Sequence, residues 1–174
     1  AHPRGDFSEH HAFPAFLKAG YACMGANMRN VNNDSDCQHE KLVVDIAAYM
    51  QWLKENGVEK IILLGNSGGG SLLSFYQSQA KAAPEDRIKF TPGGRPTGLD
   101  KMELILGDAI IYMAAHTGQG LIINEVIDPS VVDEHQPLKT NPELDMYDPK
   151  NGFKPAPEWV KYSPEFIKKF RKAQ

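Results

Sequence analysis

A short apolar run, Lys60-Ile61-Ile62-Leu63-Leu64, passes directly into Gly65-Asn66-Ser67-Gly68-Gly69 and then into the helical pattern that begins Gly70-Ser71-Leu72-Leu73. Few backbone geometries turn a buried strand into a helix over so few residues, and the glycine spacing selects one of them. The context makes this a candidate nucleophile elbow centred on Ser67.

Each residue type has a reason to be there. A serine hydroxyl attacks a carbonyl only when it projects from the backbone beside a base and beside donors for the developing oxyanion. A sharp strand-to-helix turn achieves that projection, at the expense of a strained serine backbone and crowding two positions on either side. Gly65 and Gly69 leave out the side chains that would collide. The Gly68 amide then points into the site at a helix N-terminus, where the backbone dipole favours negative charge. Asn66 lies between the strand and the serine.

Two other glycine-rich turns compete. Gly65-x-x-Gly68-x-Gly70 after a strand is also a loose dinucleotide-binding pattern, but the acidic residue expected about twenty positions on is not evident between Lys81 and Thr91. A phosphate-cradling Walker loop fails because no lysine precedes Ser71. A turn with no chemistry is the remaining reading, and it is the usual one when strand and helix are missing. Here both flanks are present.

With 174 residues and 41% hydrophobic side chains, the chain has the length and the apolar content for a core of its own. A formal charge of −3 gives no sign of a nucleic-acid or anionic-membrane partner. No apolar stretch approaches a membrane span, and the polar start Ala1-His2-Pro3-Arg4-Gly5-Asp6 does not read as a signal peptide. Cys23 falls in an apolar run and Cys37 in a polar one, a pairing that reads as free thiols in a reducing compartment. The expectation is a soluble, cytoplasmic protein with a small molecule as its partner.

Along the chain, Ser8 to Ala19 reads as a short helix limited in length by Pro14, and Tyr21 to Met28 as a buried strand. The clearest helix covers Cys37 to Asn56, with Leu42, Ile46, Tyr49, Met50 and Leu53 at helical spacing. A further helix follows the elbow from Ser67 to about Ala82. Lys89 to Lys101 reads as a mobile, turn-rich insert, and Gly107 to Ala115 as the next strand, ending at His116. This alternation predicts an α/β, three-layer fold with a mostly parallel sheet. Leu121 to Val126 reads as helical. Asp128 to Lys161 carries six of the twelve prolines and is read as part of a cap. Ser163-Pro164-Glu165 opens a last helix.

These features together resemble the α/β-hydrolase superfamily, from His2 to His116. The resemblance implies a core over residues 1–120 and a cap or lid segment over 121–174. It also implies an oxyanion loop after an earlier strand, and His2-Pro3-Arg4-Gly5 stands in that place. Pro3 has no amide, so the second oxyanion donor is expected at Arg4 or Gly5. In the family, the nucleophile precedes an acid and then a histidine on later strands. Those partners have no counterpart here, so the chain is expected to be the central portion of a longer, incomplete-looking family member.

His116 is the best internal histidine, at the strand end beside the elbow, where it serves either as base or as pocket lining. His10, His11 and His39 read as residues of polar helix surfaces, and His135 as exposed. Asp34, Asp36 and His39 match no calcium or zinc spacing. The expected activity is serine-hydrolase chemistry on an ester or related acyl bond of a small, apolar substrate, with no metal and no cofactor. Base and acid are expected from sequence outside the chain. The alternative is a catalytically silent α/β domain or fragment that binds a ligand or a complementing chain. A homo-oligomer is also compatible with the sequence.

Overall fold

The computed structural model describes residues 1–174 as two compact units, Ala1–Gln119 and Gly120–Gln174. The chain is a mixture of five helices and one small parallel sheet.

The first unit contains α1 (Phe13–Lys18), α2 (His39–Glu55), β1 (Ile62–Asn66), α3 (Gly68–Lys81) and β2 (Ala109–Met113). β1 and β2 pair in parallel, with Ile62 opposite Ala109 and Asn66 opposite Met113. A parallel pair needs a crossover, and α3 supplies it. Period-two alternation turns Leu63 and Gly65 inward while Ile62 faces out. Leu42, Val43, Ile46 and Met50 of α2 meet Leu72, Leu73 and Tyr76 of α3 over Ile61 and Leu63. Burying a side chain of this size contributes about 1.5–3 kcal/mol, so this cluster dominates the stability of the unit.

Three expectations need correction. Tyr21 to Met28 is not a buried strand: only Asn27 bridges, in parallel with His2, and Tyr21 is 52% exposed. Strand character depends on a neighbour to pair with, and only the end of this run meets one. The first helix begins at Phe13 instead of Ser8, because Pro14 suits a first helical turn and would break an interior. No residue of α1 is buried. The turn-rich insert is tethered: Leu99 is fully buried, and Thr97 Oγ1 donates to the Ile88 carbonyl.

Arg87 anchors the same region. It is 8% exposed and donates to the Gln79 and Leu99 carbonyls at 2.9 and 3.0 Å and to the Met102 carbonyl at 2.6 Å. No carboxylate pairs with it. A planar fork of donors suits several carbonyls at once, which explains an arginine where lysine would not serve.

In the second unit, α4 (Gln119–Val126, its first residue in the other unit) precedes a long irregular stretch and α5 (Pro164–Ala173). Ser163 Oγ caps α5 by accepting from the Phe166 amide at 3.1 Å. At the other end, Gln174 Nε2 donates to the Glu125 and Ile127 carbonyls, closing the C-terminal end of α4. Between them is an apolar groove of about 400 Å³ lined by Ile127, Met146, Tyr162, Phe166 and Phe170. No helix of the chain is long and apolar enough to cross a membrane.

Candidate functional site

The turn between β1 and α3 has the geometry that the glycine spacing predicts. Ser67 sits at φ 51°, ψ −121°, a conformation that costs a non-glycine residue about 1–3 kcal/mol. Its amide is held by the Met113 carbonyl at 3.0 Å and its carbonyl by the Gly70 amide at 3.1 Å. The strain is therefore pinned from both sides.

The neighbouring glycines are required by close approach. A Cβ on Gly65 would lie 2.6 Å from the Gly69 carbonyl oxygen and from the Gly70 backbone. One on Gly69 would collide with the Ala1 carbonyl. The backbone just before His2 thus lies directly against the first turn of α3, and Ala1 N donates to the Leu64 carbonyl at 2.7 Å.

Asn66 is a brace. Its Nδ2 donates to the Met113 carbonyl at 2.9 Å, and its Oδ1 faces His10 Nε2 at 3.4 Å. This corrects the surface assignment of His10, which is 8% exposed and whose Nδ1 accepts from the Ala12 amide. A column of rings continues outward, His10 on Phe7 at 5.0 Å and Phe7 on His2 at 5.4 Å. No sequence signal could have found this contact, since residues 10 and 66 meet only through the tertiary fold. His39 is also half-buried, not on a free helix surface.

The His2-to-Gly5 loop is built around an imidazole. His2 Nδ1 accepts from the Gly5 amide at 2.7 Å and the Arg4 amide at 3.2 Å, so both amides expected to face an oxyanion have an acceptor already. The Arg4 guanidinium pairs with Asp34 at 3.2 Å. Burial lowers the His2 pKa below its ordinary value, and Arg4 pushes the same way against Asp34. Neutral His2 is the form that can accept those two bonds.

His116 reaches the elbow from the end of β2. Its Nε2 lies 3.4 Å from the position of a Gly68 Cβ, and its Nδ1 accepts from the Gly118 amide at 3.3 Å. Ser67 Oγ itself makes no hydrogen bond to any histidine. Ser67, Gly68, Asn66, His2 and His116 are thus assembled in one place, with Arg4 and Gly5 at its edge.

No family model, curated protein or solved structure matches the chain. The chemistry of the site therefore rests on its geometry alone. No group of three or more histidine, cysteine or acidic side chains is placed to hold a metal ion, and Cys23 and Cys37 are both free. His135, expected to be exposed, is exposed in the second unit.

Proposed function

We propose that this chain carries the nucleophile of a serine hydrolase of the α/β-hydrolase type, acting on an ester or related acyl bond of a small, apolar substrate. The observation that carries the reading is the Ser67 backbone at φ 51°, ψ −121° between a parallel strand and a helix, with Gly65 and Gly69 pressed against backbone. Strain of this kind persists where the surroundings over-determine it, and such places cluster at functional sites.

In the proposed reaction, Ser67 Oγ forms a bond to the acyl carbon while the carbonyl π pair moves onto oxygen. The hydroxyl proton passes to an imidazole base, which returns it to the departing alcohol as the tetrahedral intermediate collapses. Water then attacks the acyl-enzyme by the same route, releasing the acid and restoring Ser67. The Gly68 amide, first in α3, points its N–H toward the new oxyanion. Because no histidine bonds Ser67 Oγ, the base and its orienting carboxylate are proposed to come from residues outside these 174. A three-layer fold, with further strands beside β1 and β2, belongs to the same proposal.

The test is covalent labelling of the full-length protein with an alkyl fluorophosphonate, read by intact mass and peptide mapping. A single adduct on Ser67, absent from Ser67→Ala, is the expected result. The unbonded Ser67 hydroxyl also fits a silent binding domain, and a full-length protein that never labels at Ser67 would establish that reading instead.

A further inference from the structure

We propose that His116 is the second hydrogen-bond donor to the carbonyl oxygen that Ser67 attacks, and that it acts as a neutral N–H donor and not as the base. The inference rests on the serine-hydrolase reading and assigns a role within it.

An oxyanion site needs at least two donors converging on one point, fixed before the charge develops. The elbow supplies one, the Gly68 amide. The loop that ought to supply another is already spent. Its Gly5 and Arg4 amides bond His2 Nδ1, and Pro3 has no N–H to give. Pro3 instead sets its ring carbons Cγ and Cδ 3.3 Å from the Gly68 Cβ position. A second donor must come from elsewhere.

His116 Nε2 lies 3.4 Å from the same Cβ position and is the polar atom among its three nearest neighbours. Its protonation follows from its other nitrogen. The Gly118 N–H is directed at Nδ1, which must then present a lone pair, and in a neutral ring the proton resides on Nε2. The nitrogen that faces the elbow is thus a donor. It has no lone pair with which to take the Ser67 proton, so the geometry that qualifies it as a donor disqualifies it as the base.

The ring is also held in advance of the reaction. Ala114 is at φ 45°, a strained turn immediately after β2, and the next residue, Ala115, packs so closely on Gly70 that a Cβ there would collide with it. The loop bearing His116 is therefore locked onto the first turn of α3, the element that carries the Gly68 amide. Two donors fixed to one helix turn need little reorganisation as charge develops.

The second-order rate of fluorophosphonate labelling at Ser67, measured on the full-length protein from pH 6.5 to 8.5, tests this. His116→Ala should label more slowly by about 10²–10³-fold, the usual loss for one oxyanion donor. His116→Gln, whose amide nitrogen reaches the place of Nε2, should recover to within about tenfold of wild type, while His116→Asn, which reproduces the Nδ1 position, should not. If His116→Ala labels as fast as wild type, His116 contributes no donor and the proposal fails. If His116→Gln is as slow as His116→Ala, an N–H donor at that place does not replace the ring and the proposal fails, and loss of an acidic limb from the profile in the same variants would mark His116 as the base. Wild type that does not label at Ser67 brings down the serine-hydrolase reading itself, an outcome distinct from either.

Discussion

Gly65 and Gly69 approach so closely across the β1–α3 turn that a Cβ on the first would stand 2.6 Å from the carbonyl oxygen of the second. Neither partner is a flexible side-chain end that could move aside. Gly65→Ala should therefore destabilise the protein by about 3 kcal/mol, at the upper end for overpacking, and shift the urea midpoint accordingly. An alanine at Gly120, with nothing within 4 Å of its Cβ position, should be neutral or slightly stabilising.

Arg87 provides a second test, because its stabilising role depends on carbonyls and not on a countercharge. Arg87→Met fills similar volume but strands the Gln79 carbonyl that its Nε satisfies and the Met102 carbonyl that its Nη1 satisfies, while the Leu99 carbonyl keeps the Met102 amide at 3.4 Å. A loss of roughly 3 kcal/mol is expected from two or more unsatisfied buried acceptors. Arg87→Lys should recover only part of it, since one ammonium cannot span both the Gln79 side and the Leu99 side of the site. Chemical denaturation of the three proteins decides the order.

The elbow is legible in the sequence because its determinants are local: glycines at fixed offsets, an apolar run before them and helical spacing after. α2 and α3 are legible within two residues for the same reason. The buried position of His10 is not, because it depends on a contact 56 residues away with Asn66. Tyr21 to Met28 has the composition of a strand, yet composition cannot tell whether a neighbour is there to pair with it. Arg4 and Gly5 are sensible oxyanion donors by position, and only the folded loop reveals that His2 Nδ1 takes both amides.

His2 and His39 make stability depend on pH in a defined window. Burial lowers the pKa of both below the ordinary imidazole value of 6.5. The folded chain then binds fewer protons than the unfolded chain, so stability rises with pH through this range. It is fully present above pH 6.5 and is lost as pH falls from there toward the depressed folded values. Urea midpoints at about pH 7.5 and about pH 5.5, on either side of the imidazole range, should differ, and His2→Asn with His39→Gln should shrink the difference. The amide oxygen of the asparagine introduced by His2→Asn can still accept the Gly5 amide, so the turn survives without the titration. Asp6, held at about 2 by the Ser8 hydroxyl and amide and by Asn27, adds a separate loss only below pH 3.8.

The strain at Ser67 has a function that two substitutions at the same position can test. If φ 51°, ψ −121° serves to project the hydroxyl, the protein gives up stability to hold it, and removing the Cβ should return that stability. Ser67→Gly should then be more stable than Ser67→Ala by about 1–2 kcal/mol, although both lack the hydroxyl and both should fail to label. At an ordinary helix start the order would reverse, because glycine has more freedom to lose on folding. Thermal and urea unfolding of the two variants therefore separates a strained nucleophile turn from a relaxed one. Equal stabilities would mean that the surroundings do not enforce the conformation, and the strongest single support for the proposed chemistry would be gone.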